Sequence, residues 1–311
     1  MSERSGSIRL ISRKDISHDK WDTLVHQCDN SIFMSRWYLD EVMPEWTAYV
    51  LNDYEACLPV FITTKYTVKY ALQPLFLRSM SVLGNKEKTK ELVLVLKFKL
   101  SFFSVSMDIS MDQFIDDELA VRELSRYQIL SLGQEYEAVY QKYSQNIKRN
   151  LRDFIKSGAE ISEEKDVGLL IDMFRIEKGR QFSHLNDKAY IRLTNLMKSA
   201  QKLNSGILRA IRLDGEIVAM CFFIRQESKL LYLKGVVNKQ GKEIGAMQAL
   251  FDSVIKEYAA HFVSLDFGGS NNEGLALFNK KFGAFDRNYL ILKHNATCWP
   301  LKSFINRKFG L

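Results

Sequence analysis

The residues of this chain best suited to bind a phosphate group form a short basic segment with two glycines. Lys239 and Lys242 supply positive charge, and Gly241 and Gly245 allow the backbone to approach a ligand closely. Ala246 then opens a run whose apolar residues recur every three or four positions, at Met247, Leu250, Phe251, Val254, Ile255 and Tyr258. That spacing predicts a helix, and the first amides of a helix favour an anion. We therefore expect a phosphate or pyrophosphate at its start, although a polar turn entering a buried helix fits the segment equally well.

Two further side chains could move protons in a reaction. Asp266 ends the short apolar run at residues 262–267, immediately before two glycines, where ligand crevices of α/β sheets form. Its carboxylate could accept a proton from a reacting group or orient that group. The alternative is a turn residue that holds the backbone amides of Gly268 and Gly269. Tyr289 could donate a proton to a leaving group, or this tyrosine could simply pack at the start of a strand.

Basic residues cluster on a predicted helix at residues 144–157, which carries Lys148, Arg149 and Arg152. The cluster could hold an anionic acceptor or the phosphates of a tRNA. The alternative is a solvated basic face opposite an apolar face. The residues expected on that apolar face are Ile147, Leu151 and Ile155.

The secondary-structure elements predicted around these residues form a βαβ unit. An apolar, β-rich run at residues 230–237 precedes the basic segment, and the helix from Ala246 is followed by the run that ends at Asp266. Residues 289–292 form a last predicted strand. The short helix before that strand carries Leu275, Leu277, Phe278 and Phe282.

Hairpins are predicted in both halves of the chain. In the first half, two β-like runs flank residues 52–55, and a helix follows at residues 86–98. In the second half, Asp214-Gly215 between two apolar runs is the strongest short hairpin signal of the sequence. A half-buried strand is predicted where apolar residues alternate with polar ones, at Phe103, Val105, Met107, Ile109 and Met111.

Three sequence motifs resemble a known family. They are SQNIKRNLR at residues 144–152, LDFGGS at 265–270 and LFNKKFGA at 277–284. Together with the order of the elements, they resemble the GNAT superfamily of acyltransferases, and within it the FemAB-like branch, whose members carry two GNAT-type domains. The resemblance covers most of residues 140–292 and extends to residues 18–135 only by element order. It implies transfer of an acyl or aminoacyl group to an amine, with acyl-CoA or aminoacyl-tRNA as the donor.

The resemblance also implies roles for individual residues. Gln240 and Gly245 match the family's donor loop, whereas Glu243 stands where a glycine is usual, so the sequence leaves acyl-CoA and aminoacyl-tRNA both open. Lys280 matches the second lysine of the family's Phe-Lys-Lys-x-Phe-Gly pattern, in which Asn279 replaces the first. A lysine at this position would stabilise the oxyanion of a tetrahedral intermediate or hold a donor phosphate. The alternative is a solvated basic face shared with the next lysine.

The composition narrows the class of protein. With 311 residues, of which 46% are hydrophobic, the chain is long enough for two domains with packed cores. A formal charge of +7 fits anionic ligands such as CoA, nucleotide-linked precursors or tRNA, although an excess of surface lysine explains it as well. The cysteines and histidines show no paired spacing, which predicts free thiols and no metal. The sequence offers neither a signal peptide nor an apolar run long enough to span a membrane, so we expect a cytoplasmic protein.

We therefore predict an α/β (α+β) protein of two GNAT-like domains, each a mixed, mostly antiparallel sheet flanked by helices. Residues 1–140 would form a first domain with a degenerate donor site, and residues 141–311 a second, donor-binding and catalytic domain. An amine of a small molecule or a cell-wall precursor would attack the acyl group directly, because no activated nucleophile is visible. The alternative is a non-catalytic module that binds tRNA or another polyanion. The sequence leaves the oligomeric state open.

Overall fold

The computed structural model describes residues 7–29, 31–109, 122–182, 185–269 and 271–310. The β-strands are β1 (Ile8–Ser12), β2 (Thr47–Leu51), β3 (Ala56–Val60), β4 (Ile62–Lys65), β5 (Val68–Leu72), β6 (Leu83–Gly84), β7 (Phe102–Met107), β8 (Arg122–Ser131), β9 (Glu160–Glu163), β10 (Gly206–Leu213), β11 (Glu216–Gln226), β12 (Lys229–Val237), β13 (Ser264–Gly269) and β14 (Phe285–Asn295). The α-helices are α1 (His18–His26), α2 (Ser31–Met34), α3 (Arg36–Val42), α4 (Thr89–Lys99), α5 (Tyr136–Gln141), α6 (Gln145–Lys156), α7 (Val167–Lys178), α8 (Asp187–Lys202), α9 (Lys239–Glu243), α10 (Ala246–Tyr258), α11 (Glu273–Lys280) and α12 (Leu301–Phe309).

The chain forms two compact units, of which the first comprises Met1–Ser125 and Asn288–Leu311. Within it, β1, β2, β3 and β6 form an antiparallel sheet in that order. The predicted hairpin around residues 52–55 is confirmed, with Leu51 opposite Ala56. Strands β4, β5, β7 and β14 form a second group, in which β5 and β7 pair parallel and the other neighbours pair antiparallel.

The second unit, Arg126–Arg287, contains the predicted βαβ arrangement. Its strands lie in the order β8, β13, β12, β11, β10, β9; β12 and β13 pair parallel, and the other neighbours pair antiparallel. This mixed, mostly antiparallel sheet is the predicted fold class, and the hairpin at Asp214-Gly215 is confirmed by the pairing of Leu213 with Glu216. The two units are bounded differently from the predicted domains 1–140 and 141–311, whose division of roles stays a prediction.

Helix α10 supplies the centre of the second unit's core. It begins at Ala246, as predicted, and buries Leu250, Phe251 and Val254 completely or almost completely. Phe251 meets five other aromatic rings, those of Phe223, Tyr232, Phe267, Phe278 and Phe282. Burial of each such side chain contributes roughly 1.5 to 3 kcal/mol, so this helix is held firmly against the sheet.

The predicted apolar faces of two helices need correction. On α6 the buried residues are Ile147, Leu151 and Phe154, whereas Ile155 is 76% exposed. On α11, two of the four apolar residues predicted for this helix, Leu275 and Leu277, are 57% and 58% exposed, so they do not anchor it. In both cases the true face follows the steps of three and four residues that a helix of 3.6 residues per turn requires.

Two predicted segments also differ from the structure. The alternating run from Phe103 is strand β7, but its polar Ser106 is only 7% exposed, so the strand is buried on both faces instead of one. The predicted end of that run, Met111, lies outside the described residues, as does Ser270 of the motif at 265–270. The basic segment after β12 is a short helix, α9, and not an open loop.

The cysteines carry free thiols, as predicted. Burial raises the pKa of the Cys57 thiol to about 12 and also raises the pKa of Cys221, so neither thiol is activated for nucleophilic attack at neutral pH. Within the described ranges, no three His, Cys, Asp or Glu residues lie together as metal ligands would. The helices of those ranges include none that is both long and apolar enough to cross a membrane.

Candidate active site

A cavity opens in the second unit where its two parallel strands separate. Strand β12 pairs with β13 only over Lys229–Leu231 and Ser264–Asp266. Past that point, residues 232–237 of β12 and 267–269 of β13 line a cavity of about 590 Å³. Its aromatic residues are Phe174, Phe182, Tyr232, Phe251, Phe267 and Phe278. A cleft of this size, largely apolar with a few polar groups, is typical of a small-molecule site.

A β-bulge interrupts β12 at the wall of this cavity. Tyr232 lies opposite Phe223 and Lys234 lies opposite Phe222, so Leu233 has no partner residue on β11. A bulged residue is left out of the ladder, and its backbone groups are available for other partners. Leu233 lines the cavity, so the bulge lies at the cavity wall.

Lys234 is the basic side chain that the sequence reasoning missed. Its ammonium lies 3.9 Å from the ring centroid of Phe174 and 4.7 Å from that of Phe182. Burial lowers the pKa of Lys234 to about 8. The signal was present in the sequence, because Lys234 is the one charged residue in the apolar run at residues 230–237. A lysine inside a buried strand is costly unless it serves a site.

The glycines of the predicted phosphate segment make close contacts with protein. A Cβ atom on Gly241 would lie 2.5 Å from the carbonyl oxygen of Val218, so the missing side chain allows α9 to pack on β11. The Gly241 N–H is taken by the side chain of Asn238, at 2.9 Å. Lys239, Gln240 and Lys242 of this helix are exposed. The segment therefore presents its charge, and not its first glycine, to solvent.

Gly245, at the start of α10, packs against the basic helix α6. Its φ of 73° is left-handed, and a Cβ there would lie 2.8 Å from the carbonyl oxygen of Asn150. The structure thus brings the predicted phosphate segment against the helix that carries the predicted acceptor or tRNA cluster. Arg149 and Arg152 of that helix are exposed, whereas the Lys148 ammonium lies 5.1 Å from the ring centroid of Tyr140.

Asp266 is engaged in its own turn. Its Oδ1 accepts a hydrogen bond of 2.8 Å from the Gly268 N–H, which is the turn role named as the alternative for this residue. Asp266 is half-buried, and it is the three residues after it, Phe267, Gly268 and Gly269, that line the cavity. In this arrangement the carboxylate positions the cavity wall.

Lys280 forms an ion pair beside the cavity. Its Nζ lies 2.6 Å from Asp286 Oδ2, and the two side chains are 42% and 33% exposed. Hydrogen bonds from Lys280 and then from Gln128 hold the pKa of Asp286 below its ordinary value. Asn279, the residue before Lys280, lines the cavity. It is 5% exposed, and its side-chain amide donates a hydrogen bond of 3.0 Å to Gln128 Oε1.

Tyr289, the third predicted catalytic residue, belongs to the first compact unit. It lies in β14 and is 8% exposed. Its neighbour Leu290 pairs with Met107 of β7. Packing within that unit, the alternative named for this tyrosine, accounts for its burial.

A comparison with known protein families matches the second unit. Residues 141–274 match the family model described as an acetyltransferase (GNAT) domain. No curated protein matches the chain.

Solved structures resemble the whole chain in fold. FemX is 10% identical, with 95% of this chain and 99% of that chain covered and a TM-score of 0.66. L-PGS from Bacillus licheniformis is 12% identical, with 94% and 97% covered and a TM-score of 0.52. A tandem GNAT protein from the clavulanic acid biosynthesis pathway, solved without AcCoA, is 9% identical, with 94% and 99% covered and a TM-score of 0.52. At these identities the likeness concerns the fold.

Proposed function

We propose that this chain, which has the fold of FemX, is a GNAT acyltransferase whose second unit moves an acyl or aminoacyl group onto an amine. The observation that carries the proposal is the cavity between the separating strands β12 and β13, which lies largely within the matched GNAT domain. A carbonyl group held there would have the bulged backbone at Leu233 on one side. The donor would be acyl-CoA or aminoacyl-tRNA, and both consist of a reactive carbonyl on a polyanionic carrier.

The donor's phosphates are assigned to the start of α10. The first amides of this helix have no acceptor within the helix, and Lys239 and Lys242 are exposed on the preceding helix α9. Gln240, Gly241, Gly245 and Ala246 complete the proposed donor segment. Gly241, Gly245 and Ala246 are buried, so we assign them to shaping the segment and the exposed lysines to contact with phosphate.

A tRNA carrier would extend from this segment onto helix α6. Arg149 and Arg152 are exposed there, and Asn150 of the same helix contacts Gly245. Phosphate contacts of this kind add affinity in proportion to the positive charge and weaken with salt. The same two arginines, together with Lys148, would hold an anionic acceptor if the donor is acyl-CoA.

The reaction proposed is direct attack by the neutral amine. A bond forms between the amine nitrogen and the carbonyl carbon, and the bond from that carbon to the thiolate sulfur or ribose oxygen then breaks. The amine loses one proton and the leaving group gains one. The negative charge that develops on the carbonyl oxygen is stabilised by a backbone N–H of the bulge at Leu233 and, as a prediction, by Lys280. Asp266 remains proposed to accept the proton of the amine. Tyr289 lies in the first unit, and its role as a proton donor stays a prediction.

Donor binding can be tested by titrating the full chain with CoA and with uncharged tRNA. Lys242→Glu should weaken CoA binding about tenfold, because it places a carboxylate beside a diphosphate. The control is Lys188→Glu, the same change of charge at an exposed lysine on α8. Arg149→Glu should weaken tRNA binding more than CoA binding. Equal affinities of the Lys242→Glu variant and the wild type for both ligands would remove the donor site from α10.

A further inference from the structure

The charges around the cavity are of one sign. Its lining contains two lysines, Lys178 and Lys234, and three neutral amides, Gln181, Asn272 and Asn279. Among the described residues, the lining includes neither an aspartate nor a glutamate. A cationic group inside this cavity would meet like charge without a compensating carboxylate. The cavity therefore disfavours polyamines and lysine side chains as the group that is bound there.

Lys234 lacks a counter-ion in the part of the chain that the structure describes. Its ammonium has neither a carboxylate within ion-pair distance nor a hydrogen-bond acceptor there, and its contacts are the faces of Phe174 and Phe182. Cation–π contacts recover only part of the cost of taking an ammonium out of water. An anion beside Lys234 would recover the rest, because a buried charge is stable when it is paired and hydrogen-bonded.

We propose that Lys234 is the specificity-determining residue of the cavity and recognises a carboxylate on an otherwise apolar substrate. The aromatic rings around it would pack against the apolar part of that substrate, and the ammonium would bind its carboxylate. The inference rests on the proposed function in one respect, namely that the substrate is the acyl group or the amine of the transfer reaction. The carboxylate belongs either to a dicarboxylic acyl group or to an amino acid acceptor.

Met247 offers a direct report of what enters the cavity. Its half-buried side chain lines the cavity, and its Sδ lies 3.2 Å from Cys221 Sγ. The full chain would be labelled with carbon-13 on its methionine methyl groups, and the Met247 signal would be assigned with Met247→Leu. Hexanoate and its neutral isostere hexanamide would be titrated in turn. Both have the same apolar body, so a difference in affinity measures recognition of the carboxylate.

Hexanoate is expected to shift the Met247 signal and to bind about tenfold more tightly than hexanamide, as a charge-assisted hydrogen bond predicts. Lys234→Gln should abolish this preference. Lys229→Gln removes a lysine from the same strand outside the cavity lining and should leave it unchanged. Equal affinity of the wild type for both probes would overturn the proposal, as would a preference that survives in Lys234→Gln.

Two further pairs of probes locate the carboxylate. Succinyl-CoA against butyryl-CoA tests the acyl group, and leucine against leucinamide tests the amine. A Lys234-dependent preference in the first pair assigns the carboxylate to the donor, and one in the second pair assigns it to the acceptor. Absence of the preference in both pairs would overturn recognition of a substrate carboxylate. If hexanoate is discriminated and no acyl transfer is found with any donor, the anion site stands and the proposed function fails.

Discussion

Lys234 links the stability of the second unit to its proposed substrate. Burial lowers the pKa of this lysine from 10.5 to about 8. The folded state therefore holds its proton less tightly than the unfolded state, and the charged form costs stability. That penalty is fully present below pH 8 and disappears as the pH rises from 8 to 10.5. Residues of a binding site commonly lower the stability of the fold in this way.

The first prediction follows from this difference in pKa. Lys234→Gln should raise the free energy of unfolding at pH 7 by about 2 kcal/mol, and the gain should shrink between pH 8 and 10.5. Burial also raises the pKa of the Tyr232 hydroxyl, so the wild type supplies the baseline at each pH. Urea unfolding from pH 7 to 10.5 measures the difference. A gain that is independent of pH would contradict the buried charge.

Lys280 is either a catalytic lysine or only the partner of Asp286 in a structural ion pair, and mutants can distinguish the two roles. If its ammonium stabilises the oxyanion, Lys280→Ala should lower turnover by roughly a hundredfold, about 3 kcal/mol, with little loss of stability. Lys281→Ala, at the exposed neighbour, should do little. Asp286→Ala frees Lys280 from its partner and should leave most of the turnover intact. Steady-state kinetics of the three variants would decide the role, and equal turnover in Lys280→Ala and Lys281→Ala would reduce both lysines to a basic surface.

At the scale of elements, the period of each helix was predictable and its exact buried face was not. The sequence places Ile147, Phe154 and Ile155 near the same side of α6, and a choice between the last two depends on how the helix is rotated against α10. That rotation is set by packing partners far away in the chain. The bulge in β12 was hidden for the same reason, because a bulge is defined by the pairing of two strands and not by one.

Gly241 provides an element-scale prediction. A Cβ atom at Gly241 would overlap the carbonyl oxygen of Val218, which belongs to the backbone of β11 and cannot turn away. Gly241→Ala should therefore destabilise the second unit by about 1 to 3 kcal/mol. Gly179→Ala is the matched control, because nothing lies within 4 Å of a Cβ there and its φ is not left-handed. Urea unfolding that shows equal stability of the two variants would contradict the packing of α9 on β11.

At the scale of the whole molecule, the order of elements predicted the fold class but not how the chain divides. Residues 288–311, at the end of the chain, belong to the first unit. There Leu290 pairs with Met107, which is far away in the sequence. No local sequence pattern predicts which strand β14 pairs with, because strand pairing depends on contacts between residues distant in sequence. The proposed donor segment is a motif that can be read from the sequence, whereas the cavity cannot. Phe174, Lys234 and Phe278 meet in it from three separate elements.

The most direct test of the acyltransferase assignment is transfer of label by two matched variants of α11. Leu275 and Leu277 are 57% and 58% exposed, and of the two only Leu275 lines the cavity. The chain would be incubated with radiolabelled acetyl-CoA or with tRNA charged with radiolabelled amino acids, in the presence of amino acids and amino sugars. Acid-stable amide products would then be counted.

We expect labelled amide with the wild type and with Leu277→Trp. In Leu275→Trp the indole ring would fill the mouth of the cavity, so transfer should fall at least about tenfold through loss of substrate positioning. Both leucines are exposed, so circular dichroism should show both variants folded. The contrary result is amide formation in Leu275→Trp at the wild-type rate, or none in the wild type with either class of donor.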